Sequence, residues 1–388
     1  MSVLKNNFIF ISLFIYIYSY LQEYKTTIDG KELIYKSYKL IKEETKLDIG
    51  QIASQDFYDV TLLVVDGAKL TITKGSNIVK NIPESNLRNL LQENEDDFYK
   101  SDDYKYGLTS NIVAIGINTK VIIESASINV DCPFSNAIMA FNGAEIKISN
   151  TTIITKKKYS KGLVVSNDAF VEIEDQTNFF TEGDFSPCLE VNRELGFIEA
   201  ELIYLYSIGK GSPLLNNIGN GKVNIFTGYG KAHNSQIMVV QGTNKILLHN
   251  CRFSCSGKGN DFYDQDSINN GGVVLYNTDE YDNDFTEVTL DNCVFSIEGE
   301  PIIIGNIPMF SCYDIEGSIT LTNTQTSFNT YFMKAYQIDG SHFNTKITLD
   351  INKIGVKGKI QTIGDAFIYL TYDQELSEVE LEGNIEVP

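Results

Sequence analysis

The stretch VIIESASI at residues 121–128 returns 25 residues later as IKISNTTI at residues 146–153. Each copy carries two apolar residues two positions apart, then a small polar residue, then another apolar residue. Alternation with a period of two is typical of a β-strand, and a fixed longer period is typical of a repeat architecture. Further copies begin at Leu70, Val171, Ile198, Val223, Ile246, Val288, Ile319, Ile347 and Val379.

The spacing of these copies predicts the length of one structural coil. From Val121 the steps are 25, 25, 27, 25 and 23 residues, and then 42, 31, 28 and 32. The 42-residue step indicates one coil plus an insertion, and the 51 residues between Leu70 and Val121 indicate about two coils with an acidic loop. We therefore expect an all-β, right-handed parallel β-helix, or β-solenoid, of about ten coils.

The N-terminus predicts export. Lys5 precedes an apolar run at residues 8–21, which suits a signal peptide better than a full membrane span. We expect a signal peptide at 1–21, a lead-in or cap at 22–55, and one β-helix domain at 56–388 with insertions near 82–108 and 256–270. The expected location is extracellular or at the cell surface. An uncleaved segment would be the protein's only contact with a membrane.

Asparagine recurs at the bend that follows the repeated strand. Asparagine tolerates the left-handed conformation that such a bend needs, and its amide can bond to the next asparagine in the stack. The sequence predicts an inward-facing ladder formed by Asn150, Asn250, Asn292 and Asn323. The single glycosylation sequon, at residues 150–152, contains one of these, so we expect it to be unused.

Two of the six cysteines, Cys251 and Cys293, directly follow ladder asparagines. They should stack in neighbouring coils, at a separation that a disulfide permits. Buried free thiols, which behave as small apolar groups, explain the same pattern. Both interpretations remain open at this stage.

The charge balance argues against nucleic acid as a partner. Lys and Arg total 31 against 51 Asp and Glu, for a formal net charge of −20. A surface this acidic repels a phosphate backbone.

Catalytic chemistry has few candidates in this sequence. A polysaccharide lyase of a β-helix type needs Ca²⁺ held by carboxylates and a positioned basic residue that abstracts a proton. Of the three arginines, Arg252 alone lies on a central strand of the repeat, where alternation directs it outward. We assign no catalytic residue and keep Arg252 as a weak candidate.

The acidic loops are the better functional lead, because carboxylates at high density can bind Ca²⁺ and because aromatic side chains are interleaved with them. Calcium is therefore the candidate cofactor. The candidate metal ligands are Asp261, Asp264, Asp266, Asp279, Asp282 and Asp284. The candidate ligand-binding residues are Tyr263, Tyr276 and Tyr281.

Several segments resemble adhesin-like, pectin-lyase-like β-helix proteins of the cell surface. They include GKGSPLLNNIGNGKVNI at 209–225 and KAHNSQIMVVQGTNKILLHNCRFS at 231–254. The resemblance covers roughly residues 60–350 and implies the fold, with a non-catalytic role in binding polysaccharide or another cell-surface glycan. It brings no catalytic residues.

Two other functions are considered beside this one. A Ca²⁺-dependent polysaccharide lyase or hydrolase is the alternative. Ice binding is suggested by the threonines in TTIIT at 151–155 and TNTQT at 322–326, although intermediate coils lack such an array.

Overall fold

The computed structural model describes residues 22–48, 50–83, 95–259, 270–277, 285–299, 307–338, 341, 343–353, 356–373 and 378–388. The described part of the chain is nearly all β, with 58% of its residues in strands and 2% in helices. Among the described strands, every pairing is parallel apart from that of β1 (Gln22–Ile28) with β2 (Lys31–Ile41). No helix in these ranges is long and apolar enough to cross a membrane.

The strands stack in three columns, and each turn of the chain visits the columns in the same order. The first column contains β2, β5 (Asp59–Val64), β8 (Ile112–Ile115), β11 (Ile138–Phe141), β14 (Leu163–Val165), β17 (Leu189–Ala200), β19 (Leu215–Ile225), β21 (Met238–Gln241), β24 (Val273–Tyr276), β27 (Phe310–Tyr313), β30 (Tyr331–Tyr336), β32 (Lys357–Ile363) and β34 (Glu378–Glu382). The second contains β3 (Thr45–Leu47), β6 (Lys69–Ile72), β9 (Lys120–Glu124), β12 (Glu145–Ser149), β15 (Phe170–Glu174), the ends of β17 and β19, β22 (Lys245–His249), β25 (Thr286–Asp291), β28 (Glu316–Thr322), β31 (Lys346–Asn352), β33 (Phe367–Tyr372) and β35 (Ile385–Glu386). The third contains β4 (Gln51–Ser54), β7 (Asn77–Asn81), β10 (Ser127–Asp131), β13 (Thr152–Thr155), β16 (Thr177–Thr181), β18 (Ile203–Ser207), β20 (Gly228–Ala232), β23 (Cys251–Cys255), β26 (Val294–Ile297) and β29 (Gln325–Ser327).

This arrangement is a parallel β-solenoid. The third column has ten strands, so the described residues form ten complete coils. Beyond β29, strands β30–β35 continue the first and second columns alone within the described residues. The first two columns join into one sheet because β17 and β19 run through the corner between them.

The register of the second column confirms the repeat in its central part. Val121 pairs with Ile146, and each later copy up to Ile319 pairs with the copy before it. Parallel strands lie ~4.8 Å apart, so these apolar side chains stack into one continuous core. Residues such as Ile123, Ile148 and Ile173 are fully buried there.

The register corrects the repeat at both ends. Leu70 pairs directly with Val121, so the 51 residues between them form one coil with a long excursion rather than two coils. Ile319 pairs with Leu349, two residues later than the copy predicted at Ile347. The last predicted copy lies in β34, which belongs to the first column instead of the second.

The excursion at residues 82–111 carries two short helices, α1 (Glu95–Tyr99) and α2 (Asp102–Lys105). It leaves from β7 in the third column and returns to β8 in the first. Together with the β1–β2 hairpin, its residues Tyr106 and Leu108 cover the outer faces of β5, β8, β11 and β14. The Tyr35 hydroxyl donates to the Tyr106 carbonyl oxygen at 2.6 Å. Outward side chains such as Val113 and Met139 are consequently buried.

All six cysteines are buried free thiols. Cys251 and Cys293 lie in neighbouring coils, since Arg252 pairs with Val294. The hydrogen bond with Cys293, together with burial, raises the pKa of the Cys251 thiol. The structure therefore shows the second of the two interpretations, in which these residues act as small core groups.

The predicted asparagine ladder forms, but it faces outward. Asn150, Asn250, Asn292 and Asn323 all adopt the left-handed conformation, with φ between 45° and 54°. The Asn292 amide donates to the Asn250 side-chain oxygen, and Asn323 donates to Asn292 at 3.0 Å. Three of these side chains are exposed and that of Asn250 is half-buried, so the inward orientation was wrong. The turn needs asparagine for its backbone conformation and does not need its amide in the core.

Candidate binding face on the third column

Most of the predicted loop site lies outside the described residues. This holds for Tyr263 and Tyr281 and for the six predicted metal ligands, Asp261, Asp264, Asp266, Asp279, Asp282 and Asp284. Within the part of the chain that the structure describes, no three His, Cys, Asp or Glu side chains are grouped as metal ligands. The calcium site remains a prediction.

Tyr276 is the one predicted ligand-binding residue that the structure places. It lies at the end of β24 and is 8% exposed. Its hydroxyl donates to the Gln241 side-chain oxygen at 2.9 Å, and its ring stacks on Tyr313 with centroids 5.1 Å apart. Tyr336 follows next in register. In the described structure Tyr276 is part of a packed tyrosine stack on the outer face of the first column.

The threonines that suggested ice binding do not form an outward-facing array. Thr151 and Thr155 of the first threonine stretch are buried, and so is Thr324 of the second. A flat array needs these hydroxyls to point outward together from one face.

Arg252 is exposed and faces outward from β23, as alternation predicts. It lies on the outer face of the third column, in register between Tyr229 and Val294. On the strands that precede Arg252 in the chain, the outer face of the third column carries several aromatic side chains. This aromatic surface was not predicted from the sequence.

Four aromatic side chains, three of them exposed and one half-buried, form a strip across three consecutive coils of the third column. We call this group the aromatic strip, and its members are Phe180, Tyr204, Tyr206 and Tyr229. Phe180, Tyr204 and Tyr229 are 39%, 38% and 39% exposed. Apolar surface that is contiguous and exposed on a folded protein commonly marks an interaction site.

The rings of the aromatic strip contact one another in pairs between coils, one pair stacked and one tilted. The centroids of Tyr204 and Tyr229 are 5.5 Å apart with planes 20° from parallel, and those of Phe180 and Tyr206 are 4.9 Å apart at 41°. Such offset pairs add about 0.5–1.5 kcal/mol beyond area burial. Because the rings of Tyr204 and Tyr229 cover each other's faces, a ligand would meet their outer edges and their hydroxyls.

The core explains why the strands under the aromatic strip lie in register. Phe179 and Leu205 point inward from the same strands and are fully buried. In β20 the first two inward positions are glycines, Gly228 and Gly230. A Cβ on Gly228 would lie 2.8 Å from the Phe253 ring, and one on Gly230 would lie 2.5 Å from the Leu205 carbonyl oxygen. The glycines let β20 approach its neighbours closely, which keeps Tyr229 in line with Tyr204.

Polar and charged groups border the aromatic strip. The His233 ring lies 4.8 Å from that of Tyr206, and its Nε2 atom hydrogen-bonds the Tyr206 hydroxyl. Lys231 follows Tyr206 in register and pairs with Glu298, with Nζ and Oε2 2.6 Å apart. The hydrogen bond from Lys231 lowers the pKa of Glu298. The strip thus has an apolar centre and a hydrogen-bonding rim, the usual anatomy of a binding surface.

A signal for the strip exists in the sequence. The segments TNFFT at 177–181, IYLYS at 203–207 and GYGKA at 228–232 place aromatic residues one coil apart. Each segment also carries residues that face the core, so the aromatics are recognised as outward only once the register is known.

Comparison with known proteins adds no relative, because neither a family model nor a curated protein matches the chain. The resemblance to adhesin-like, pectin-lyase-like proteins accordingly stays an expectation.

Proposed function

We propose that the protein is a secreted or cell-surface, adhesin-like, non-catalytic protein that binds polysaccharide or another surface glycan through the aromatic strip. The exposure of Phe180, Tyr204 and Tyr229 on one sheet face carries this proposal. Burying such side chains against a ligand recovers about 25 cal/mol per Å² of apolar area. Nothing in the core requires these positions to be aromatic.

The chemistry of the strip suits a carbohydrate ligand. A sugar presents apolar C–H groups between hydroxyls, and the strip presents ring edges between the hydroxyls of Tyr204, Tyr206 and Tyr229. Asn178 and Arg252, which flank Tyr204 and Tyr229 in register, add an amide and a guanidinium. A ligand that repeats along its length also matches a surface that repeats every ~4.8 Å. The net charge of −20 favours a neutral glycan over a polyanion.

We further propose that the solenoid is right-handed and of the pectin-lyase-like type. Three columns of strands support this assignment, as do the left-handed asparagines between the second and third columns. The long connection from β7 to β8 between the third and first columns points the same way.

A glycan array probed with the purified protein tests the function. The double variant Tyr204→Ala/Tyr229→Ala should bind at least about tenfold more weakly, because each interface aromatic contributes about 1–2 kcal/mol. Tyr372→Ala is the matched control, since Tyr372 is a 42% exposed strand tyrosine on the second column. Circular dichroism of all variants checks that the fold is retained.

Unchanged binding by the double variant would overturn the assignment of the strip. Equal loss in Tyr372→Ala would show that the effect is not specific to it. The non-catalytic part has its own test, in which the protein is incubated with polygalacturonate and Ca²⁺. Unsaturated product that disappears in Arg252→Ala would establish the lyase alternative instead.

A further inference from the structure

The outward orientation of Asn150 changes the interpretation of the sequon at residues 150–152. Asn150 lies at the bend between β12 and β13 and has φ of 45°. Its side chain is exposed, and its Nδ2 atom donates to the Ser125 hydroxyl at 3.0 Å. The inward ladder position was the reason to expect an unused sequon, and that reason is absent.

The three sequon residues differ in burial, from the exposed Asn150 to the buried Thr151. Thr151 is buried, and its hydroxyl donates to the Ser149 carbonyl oxygen at 2.8 Å. Thr152 lies half-buried on the outer face of β13. On the coil above, Asp175 is exposed at the equivalent bend. A bulky group on Asn150 would therefore project from the bend into solvent.

We propose that Asn150 carries an N-linked glycan once the chain has entered a secretory lumen. In that reaction the Asn150 amide nitrogen bonds to the anomeric carbon of an oligosaccharide carried on a lipid pyrophosphate. The bond from that carbon to the pyrophosphate oxygen breaks, the lipid pyrophosphate leaves, and one amide proton passes to a base of the transferase. No oxidant or reductant is required. Thr152 supplies the hydroxyl that defines the acceptor sequence.

The folded structure tolerates this modification. A primary amide has two N–H groups, and glycosylation replaces one of them. The remaining N–H keeps the bond to Ser125. The backbone at Asn150 is unaltered, so the left-handed turn persists. The proposal does not depend on the aromatic strip.

The other ladder asparagines serve as internal controls. Asn250, Asn292 and Asn323 share the bend conformation, but Arg252, Val294 and Gln325 stand where a sequon needs serine or threonine. We expect their peptides to be unmodified in the same sample.

The test expresses the full chain behind a cleavable signal peptide in eukaryotic secretory cells. Wild-type protein, Asn150→Gln, Thr152→Ala and Thr152→Ser are compared by gel mobility with and without an N-glycan-cleaving amidase. Mass spectrometry then locates the modification. Wild type and Thr152→Ser should shift on treatment, whereas Asn150→Gln and Thr152→Ala should not.

An unmodified Asn150 peptide in protein that has entered the lumen would overturn the proposal. Protease protection of the vesicle fraction establishes that the chain has entered the lumen. Because glycan transfer occurs on the emerging chain, a variant that later misfolds still gives a clear result. A shift that persists in Asn150→Gln would equally overturn it.

Discussion

The Oε1 atom of Glu190 lies 2.5 Å from the Nζ atom of Lys161, and both side chains are almost fully buried on the outer side of the first column. Glu190 also accepts hydrogen bonds from Asn216 at 2.7 Å and from Asn192 at 3.1 Å. The Lys161 ammonium lies 5.3 Å from the centroid of the Tyr104 ring. Burial opposes the charge on Lys161, but Glu190 and Tyr104 more than offset it and raise the pKa of Lys161.

Removing one partner of this ion pair should be strongly destabilising. Lys161→Met leaves Glu190 charged and buried, and we expect a loss of about 3–5 kcal/mol in the free energy of unfolding. The double variant Lys161→Met/Glu190→Leu should recover part of that loss, since no buried charge remains. Urea denaturation measures both. A double variant less stable than the single one would contradict this explanation.

A second buried carboxyl makes stability depend on pH. Asp59 is buried, its Oδ1 atom has no hydrogen-bond partner, and burial followed by the charge of Asp56 raises its pKa to about 6. The folded state thus holds this proton more tightly than the unfolded chain, so the contribution to stability is present below pH 3.8 and is lost as pH rises through 6.

Asp59→Asn should therefore be more stable than wild type at pH 7, by about 2–3 kcal/mol. The difference should shrink as the pH falls and should vanish below the ordinary aspartate pKa of 3.8. Denaturation midpoints measured across this range test the sign. A constant difference at every pH would mean that the carboxyl does not titrate as described.

An unpaired amide in the core offers a stabilising substitution. Asn217 is 1% exposed, neither of its side-chain polar atoms has a partner, and its register neighbours are Val191 and Val240. Asn217→Val should raise the free energy of unfolding by about 1–3 kcal/mol, because it removes an unsatisfied polar group. The adjacent Asn216 donates to Glu190, so Asn216→Val should be destabilising instead. Thermal and urea unfolding of the two variants should move in opposite directions.

The outward ladder separates backbone conformation from side-chain bonding. Asn292 has φ of 54° and hydrogen-bonds both Asn250 and Asn323. Asn292→Gly removes the bonds but keeps a residue suited to this turn, at a cost of about 0.5–1.5 kcal/mol. Asn292→Ala should cost about 1–2 kcal/mol more, since an alanine is strained there. Equal stability of the two variants would show that the turn conformation contributes nothing.

The central solenoid was predictable because its repeat satisfies one physical requirement in every coil. Each strand must place apolar residues inward at the same height, which gives Val121 and Ile146 the same register. The length of an excursion is free of that requirement, so the 51 residues before Val121 were misinterpreted as two coils. At Asn292, the sequence reveals the need for a left-handed turn but not the direction in which the amide points.

The candidate site was predictable only in part, for a similar reason. The alternation of apolar and polar residues correctly predicted that Arg252 faces outward. It could not predict which of Phe179 and Phe180 faces the solvent, since both are apolar and adjacent. Their separation into surface and core follows from pairing with Tyr206 and Leu205 on the next coil. Register is a property of two paired strands, so it cannot be deduced from the sequence of either strand alone.

The passage of β17 and β19 through the corner of the solenoid constrains how this molecule can vary. An inserted loop there would separate two runs of backbone that pair with β19, Leu189 to Glu194 and Phe197 to Ala200, which are joined only by a short irregularity. Corners closed by ordinary turns carry no such penalty, and the long excursion occurs at one of them. New segments are therefore best accepted at corners closed by turns, and not at the corner through which β17 and β19 run. A designer adding a peptide tag or a second domain would have the same choice of positions.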